Sequence, residues 1–194
     1  MLSFILSALI WMAPAKEFKA NDYCPLITEM NDKSINDVIE CLKTKNKIMV
    51  ISGGGMTEPS ERLMKYVEKH KTTVLCVRCG SMAAYLWLQA DKKEIASDVE
   101  IMIHYLFMVT PPYPVPLTVK FMKFSVERLQ KKTHTYFNKL PKEHQDMLIK
   151  SMDNDTENGE FYFGRDLIEK MGIKVTVIQK PTVEVLEVPE TQEQ

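Results

Sequence analysis

Two hydrophobic runs near the middle of the chain lie beside residues that could carry out nucleophilic catalysis. Ser81 follows the run 72–77 and precedes helix-forming residues, which places it where a strand turns into a helix. His104 lies within a second run, 99–109. A base that takes the proton of a serine hydroxyl makes that hydroxyl a nucleophile for acyl transfer. From residue types alone, however, a helix cap and a core histidine are the favoured explanations.

The elements around these two residues predict an α/β fold. Period-2 alternation places His104 on the same face of its strand as Met102, opposite Ile101 and Ile103. A strand, a helix and a further strand make a right-handed crossover, and this unit repeats through Ser81 and His104. The predicted helices are 34–43, capped by Ser34, 57–70, 81–90 and a long helix 117–140, and the predicted strands are 47–51, 72–77, 99–109 and 174–179.

A glycine-rich loop follows the predicted strand 47–51. Gly53, Gly54 and Gly55 are consecutive, and glycine lets a backbone approach a ligand closely and adopt conformations that other residues resist. A flexible strand-to-helix turn is the alternative explanation. The loop alone therefore indicates no particular ligand.

Three short motifs together resemble those of the Clp protease proteolytic subunit. The segment 80–84, Gly-Ser-Met-Ala-Ala, is similar to the family's serine turn, 101–104 to its histidine strand and 50–55 to its glycine loop. The resemblance covers residues 26–178 and is specific at these three places. It implies the fold of the Clp and crotonase superfamily, with repeated β-β-α and β-α-β crossover units and a protruding handle helix in the region 117–140.

The same resemblance implies a serine endopeptidase that forms an acyl-enzyme. Ser81 would attack the peptide carbonyl, His104 would relay the proton, and the N–H groups of Gly54 and Met82 would form the oxyanion hole. Gly53 stands where the family has a proline, a departure that loosens the loop. Non-catalytic assembly modules and acyl-CoA enzymes of the crotonase type are alternative functions for the same fold.

The third member of a catalytic triad is less clearly marked. The segment 162–172 resembles the family's helix that ends at a glycine, and counting back from Gly172 places Glu160 where the family has its aspartate. Asp155 is the competing candidate. A glutamate could orient the histidine, because the role needs a carboxylate more than a particular side-chain length. Both residues could equally belong to a solvated acidic turn.

Composition and the chain ends indicate one exported domain. The 194 residues are 45% hydrophobic, enough for one core, and a net charge of -1 indicates no nucleic-acid partner. The apolar segment 1–15 resembles a secretory signal, with an interfacial first helix as the alternative, and no later segment is a membrane-span candidate. We expect a single peptidase domain over 16–180, a polar tail over 181–194 and a periplasmic or secreted location, with a cytoplasmic one as the alternative.

The predicted location affects the expected state of the cysteines and the expected partners. Cys24 and Cys41 could pair in an oxidising compartment, whereas Cys76 and Cys79 are expected to be buried core thiols. No metal or cofactor is expected. The expected substrate is a peptide or an unfolded protein cleaved without an ATP-driven unfoldase, and a homo-oligomer is expected. His134 and His144 are expected at the surface.

Overall fold

A six-stranded, mostly parallel sheet organises the mixed α/β fold. The computed structural model describes residues 15–107, 119–154 and 160–180. The strands are β1 (Cys24–Leu26), β2 (Lys47–Ser52), β3 (Thr73–Gly80), β4 (Lys92–His104), β5 (Glu160–Gly164) and β6 (Thr176–Ile178). Within the described ranges the six α-helices are α1 (Asp32–Leu42), α2 (Thr57–His70), α3 (Met82–Gln89), α4 (Val119–Thr135), α5 (Lys142–Asn154) and α6 (Arg165–Lys170), and a short 3-10 helix covers Ala20–Asp22.

The strand order brings four carboxyl ends to one edge of the sheet. The order is β1-β2-β3-β4-β5, and β1 to β4 are parallel neighbours joined by α1, α2 and α3. The strand β5 runs antiparallel to the last part of β4, and β6 runs parallel to its first part. Loops that follow the carboxyl ends of adjacent parallel strands meet at the same edge, which is where open α/β sheets place their ligand sites.

The core lies mainly between the three connecting helices and one face of the sheet. In β2, Ile48 and Val50 face this core, and Met49 faces a smaller cluster on the other side. This alternation is the period of two expected of a strand. The helix α2 has the predicted bounds, and its buried Leu63 and Val67 lie four residues apart on one face, as an amphipathic pattern requires.

The start of α1 differs from the prediction. Asn31 is the N-cap, and its side chain accepts from the N–H of Ser34 at 3.0 Å. Ser34 returns a bond by accepting from the N–H of Asn31, also at 3.0 Å. Ser34 is therefore the third helical residue of a capping box rather than the cap, because the cap must precede the first helical turn.

Two disulfides are present, and one of them corrects a prediction. Cys24 is bonded to Cys41, which joins β1 to α1. Cys76 is bonded to Cys79 and neither is a free core thiol, although both are buried. On a regular strand, residues three apart point to opposite faces, but β3 has one extra residue relative to β2 between Cys76 and Arg78, which pair with the consecutive residues Val50 and Ile51. The extra residue of this bulge brings the two sulfurs together.

The predicted helix 117–140 corresponds to α4, which ends at Thr135, short of the predicted end at residue 140. α5 begins at Lys142, with Pro141 between the two helices. The residue before a proline avoids helical backbone angles, so one helix could not continue through this point. His134 and His144 are partly buried rather than at the surface, and Nε2 of His134 and Nδ1 of His144 are buried without a hydrogen-bond partner among the described residues.

Several sequence predictions concern residues outside the described ranges. These are the signal segment up to residue 14, the polar tail 181–194 and the candidate acid Asp155. In the part of the chain that the structure describes, no helix combines the length and the apolar character needed to cross a bilayer.

Candidate functional site

A cavity of about 620 Å³ opens at the carboxyl edge of the sheet. Ser81 and His104, the two residues predicted to act as nucleophile and base, both line it. The loops that follow β1, β2, β3 and β4 each contribute to its wall. The remaining lining residues are Glu29, Gly53, Gly54, Gly55, Met56, Thr57, Leu106 and Phe107.

Ser81 occupies a backbone conformation that side-chain-bearing residues rarely adopt. It lies between the end of β3 and the first turn of α3, with φ 50° and ψ -123°. The side chain makes no capping hydrogen bond, so the simple helix-cap explanation does not describe what this hydroxyl does. A non-glycine residue at such angles costs about 1–3 kcal/mol, and such residues cluster at functional sites, as in the strained strand-to-helix turns that carry nucleophilic serines.

Gly54 packs against this turn so closely that no side chain would fit. A Cβ atom on Gly54 would lie 2.6 Å from Cβ of Ser81 and 2.8 Å from the carbonyl oxygen of Gly80. The residue also has φ +105°, which favours glycine. The glycine loop is therefore packed tightly against the turn formed by residues 80–82 and is not a flexible connection.

The two predicted oxyanion donors are in different states. Met82 is the first residue of α3, so its N–H has no partner within the helix, and it lies beside Gly54. The N–H of Gly54 donates to Oγ of Ser52 at 3.1 Å. Ser52 Oγ in turn donates to the carbonyl of Thr28 at 2.7 Å. The Gly54 amide is thus held within its own loop, which differs from the expectation of an N–H directed at the cavity.

His104 is oriented by the main chain that follows it. Its Nδ1 lies 2.6 Å from the carbonyl oxygen of Tyr105, and its ring stacks on Phe107 with centroids 5.3 Å apart. Because a carbonyl oxygen only accepts, Nδ1 carries the proton in this bond, and in the neutral imidazole Nε2 then has the lone pair. The alternation predicted for β4 is confirmed, since Ile101 and Ile103 are fully buried whereas His104 is only partly buried.

Main-chain pairing, rather than a side-chain contact, sets the relation between the two candidate residues. The N–H of Ser81 donates to the carbonyl of Met102 at 2.9 Å, two residues before His104. Among the described residues, no hydrogen bond joins the Ser81 hydroxyl to His104. Catalytic hydrogen bonds often form only when substrate is bound, so this arrangement is compatible with a base and a nucleophile in one cavity.

Glu160 lies directly opposite His104. The two residues are partners in the antiparallel pairing of β4 with β5, which puts their side chains on the same face of the sheet. The hydroxyl of Tyr162 donates to Oε2 of Glu160 at 2.9 Å. The structure therefore brings the predicted acid next to the predicted base, while the acceptor at Nδ1 of His104 is the carbonyl of Tyr105.

Sequence reasoning missed several residues of the cavity. Met56 and Phe107 present large apolar side chains to solvent at its rim, with 55% and 71% exposed. Glu29 adds a carboxylate from the loop after β1. The only sequence signal for the two apolar residues is their position just after the glycine loop and just after His104.

Neither a metal site nor a known relative identifies this cavity. Over residues 15–107, 119–154 and 160–180, no group of three or more histidine, cysteine, aspartate or glutamate side chains is placed to hold a metal ion. No protein-family model matches the chain, and neither does any curated protein.

Proposed function

We propose that the protein is a serine hydrolase, specifically a Clp-like endopeptidase that cleaves peptides or unfolded segments through an acyl-enzyme on Ser81. The observation that carries this proposal is the backbone of Ser81, held at φ 50° and ψ -123° between β3 and α3 in a cavity shared with His104. A serine that only caps a helix needs no such angles, and strain of this kind persists only where surrounding structure supports it.

In the proposed reaction, Nε2 of His104 accepts the proton of the Ser81 hydroxyl as oxygen attacks the substrate carbonyl. The bond between Nδ1 and the Tyr105 carbonyl supports this assignment, because it leaves the lone pair on Nε2. His104 then gives the proton to the leaving amine, and water hydrolyses the acyl-enzyme by the reverse sequence of proton transfers.

The developing oxyanion would be stabilised by main-chain amides. The N–H of Met82 is at the first turn of α3, where helix N–H groups lack intrahelical partners. The N–H of Gly54 becomes the second donor only if it exchanges its bond to Ser52 Oγ for a bond to substrate. We therefore expect the N–H of Met82 to be available before substrate binds, and the N–H of Gly54 to become available only when substrate binds.

Glu160 would act on His104 through charge. It is the cross-strand partner of His104, so its carboxylate lies on the face where the imidazolium forms. In a catalytic triad, the carboxylate stabilises the imidazolium that forms during the reaction. Nδ1 is already bonded to Tyr105, so we assign Glu160 to stabilising the charge and not to setting the tautomer.

The proposal includes an unfolded peptide substrate and a periplasmic or secreted location. The cavity has exposed apolar residues, Met56 and Phe107, on its rim, which suits a flexible chain with apolar side chains. The disulfides Cys24–Cys41 and Cys76–Cys79 support an oxidising compartment, because such bonds are rare in the cytosol of mesophiles. A homo-oligomer with α4 as a handle also remains a proposal.

Active-site labelling tests this function directly. A fluorophosphonate probe should label the wild-type protein at one serine, and peptide mapping should locate the adduct on Ser81. Ser81→Ala should abolish labelling, and His104→Ala should slow it by about 10²–10⁴. Labelling at another serine, or none in a folded and oxidised protein, would overturn the proposal.

A non-catalytic binding module is the second candidate. Two observations favour it: among the described residues no bond joins Ser81 to His104, and the Gly54 N–H is held by Ser52. A module of this kind would bind unfolded peptides at the same cavity with equal affinity in wild type and in Ser81→Ala, without labelling or turnover. The labelling experiment therefore separates the two functions.

A further inference from the structure

Tyr85 joins the helix of the candidate nucleophile to the strand end of the candidate base. It lies one turn after Ser81 on α3 and is fully buried. Its hydroxyl donates to the main-chain carbonyl oxygen of His104. The tyrosine thus contacts the peptide unit that immediately follows the base.

We propose that Tyr85, together with Thr133, positions the imidazole of His104 by holding the two peptide planes that follow it. This inference rests on the proposed serine hydrolase function and names residues that no triad prediction includes. Tyr85 and Thr133 touch neither substrate nor the reacting atoms and act only through the main chain.

The first peptide plane is held by Tyr85. It contains the carbonyl of His104, which accepts from the Tyr85 hydroxyl. Because a peptide unit is planar, a bond to its carbonyl oxygen fixes the orientation of the whole unit up to Tyr105. Only the φ and ψ angles of Tyr105 then remain to set the next plane.

The second peptide plane is held by Thr133. It contains the carbonyl of Tyr105 and the N–H of Leu106, and this N–H donates to Oγ1 of Thr133 at 3.0 Å. Thr133 is fully buried on α4, and its hydroxyl donates onward to the carbonyl of Leu129 at 3.0 Å. The same plane presents the Tyr105 oxygen to Nδ1 of His104 at 2.6 Å.

The oxygen that orients the imidazole is therefore fixed from both sides. A catalytic triad uses a carboxylate for this task, to hold the ring in one tautomer and one orientation. Here a carbonyl does so, and its own position depends on two buried hydroxyl groups. Loss of either hydroxyl frees one plane and lets the Tyr105 carbonyl turn away from Nδ1.

The packing around Tyr85 leaves its hydroxyl little freedom. Its ring stacks on Tyr136 with centroids 4.9 Å apart and meets Phe137 edge-on at 5.7 Å. Burial raises the pKa of the Tyr85 hydroxyl, so it stays a donor at neutral pH. A donor held in this way costs little entropy when it positions its acceptor.

Two pairs of variants test the proposal. Tyr85→Phe keeps the ring and removes the hydroxyl, and Tyr23→Phe is its control, because Tyr23 is also buried and donates to Glu94 at 2.6 Å on the opposite face of the sheet. Thr133→Val removes a hydroxyl at nearly constant volume, and Thr133→Ser retains it. The readouts are the rate of fluorophosphonate labelling at Ser81 and the imidazole ¹⁵N NMR signals of His104, which report its tautomer.

We expect Tyr85→Phe and Thr133→Val to slow labelling by about tenfold or more and to convert the single Nδ1–H tautomer of His104 into a mixture. Tyr23→Phe and Thr133→Ser should keep the wild-type rate within about twofold and the wild-type tautomer. A role in stability alone would lower the unfolding free energy in all three hydroxyl deletions without changing the tautomer.

The outcomes separate this proposal from the proposed function. If wild type is not labelled but Tyr85→Phe still changes the His104 tautomer, the hydrolase function fails and the positioning holds. If wild type is labelled and Tyr85→Phe matches it in rate and tautomer, the positioning is overturned. Should Tyr85→Phe not fold, the comparison of Thr133→Val with Thr133→Ser decides in the same way.

Discussion

The main-chain N–H of Ser81 donates to the carbonyl oxygen of Met102 at 2.9 Å, which continues the pairing of β3 with β4 beyond the last residue of β3. Gly80 and Met102 are register partners, so the turn carrying Ser81 reaches the level of the last residues of β4. His104 is the last of these residues. The sheet itself therefore brings a hydroxyl and an imidazole to one edge, whatever their side chains do.

Replacing Ser81 should separate backbone strain from chemistry. Glycine adopts the angles of Ser81 freely, whereas alanine does not, so Ser81→Gly should be about 1 kcal/mol more stable than Ser81→Ala. Both variants should lose fluorophosphonate labelling. Urea denaturation measures the stability difference. Equal stability of the two variants would mean that the turn relaxes to ordinary angles once the hydroxyl is absent.

The contact between Gly54 and the serine turn predicts a large effect of a single methyl group. Gly54→Ala should lose about 2 kcal/mol or more of unfolding free energy, because its Cβ would lie 2.6 Å from Cβ of Ser81 and its φ is positive. Labelling of Ser81 should fall with it, since the turn must move to relieve the clash.

Gly53→Ala is the matched control for this prediction. Apart from Gly53 and its two chain neighbours, no heavy atom of the described residues lies within 4 Å of a Cβ at Gly53, so alanine there should be neutral or slightly stabilising by less than about 1 kcal/mol. Thermal unfolding of the two variants provides the measurement. If Gly54→Ala is as stable and as reactive as Gly53→Ala, the close packing of the glycine loop is not a requirement of the site.

Residue pattern was sufficient to predict elements whose signal is local. The helix α2 has apolar residues at helical spacing, and its predicted and observed bounds agree. The strand β4, in contrast, begins at Lys92, seven residues before the predicted Val99. Its first residues are polar, and what makes them a strand is pairing with β3 on one side and β6 on the other. Such non-local pairing is invisible in the segment's own residues.

Sequence could predict the side chains of the site but not the main-chain groups that orient them. Ser81 and His104 could be singled out because the motifs that contain them, 80–84 and 101–104, resemble those of a known family, whereas their residue types alone favour a helix cap and a core histidine. The orienting group of His104 could not be predicted, because it is a main-chain carbonyl, and every residue has one. The hydrogen bond from the N–H of Gly54 to Oγ of Ser52 could not be predicted either, because its donor is also a main-chain group. The Cys76–Cys79 bond depends on a bulge of β3 against β2, which residue spacing does not reveal.

The acid stability of the fold should depend on Glu61. Burial alone would raise the pKa of Glu61, but hydrogen bonds from Tyr136 and Lys132 outweigh burial, and the pKa lies below its ordinary value of 4.5. A carboxyl with a lowered folded pKa stabilises the protein above its ordinary value, and this contribution is lost as the pH falls through the folded pKa. Glu61→Gln should therefore be less stable than wild type at pH 7 and lose less stability on acidification below that ordinary value.

Urea denaturation of both proteins at neutral and acidic pH measures this difference. Glu58→Gln, an exposed change on the same helix, is the control for the loss of one negative charge. If the unfolding free energies of Glu61→Gln and wild type change with pH in parallel, the pKa of Glu61 is the same in the folded and unfolded protein and the prediction is wrong.

Lys93 should give the fold a stability that increases under mildly alkaline conditions. Burial, assisted by repulsion from Lys139, lowers the pKa of Lys93 from 10.5 to about 8. Between these values the unfolded chain holds a proton that the folded protein has lost, so the unfolding free energy rises with pH. Lys93→Met removes this dependence, and the stability difference between wild type and variant should shift in favour of wild type from about pH 8 to about pH 9.5.

The upper limit of that range is set by tyrosines. Burial, together with the hydrogen bonds that Tyr23 and Tyr136 donate to Glu94 and Glu61, raises the pKa of both hydroxyls above 10.0. Their protons are retained in the folded state, so they oppose the effect of Lys93 at higher pH. Lys92→Met, at the exposed neighbouring position, is the control and should follow the wild-type curve. If Lys93→Met also follows that curve, the Lys93 ammonium is as well solvated in the folded protein as in the unfolded chain.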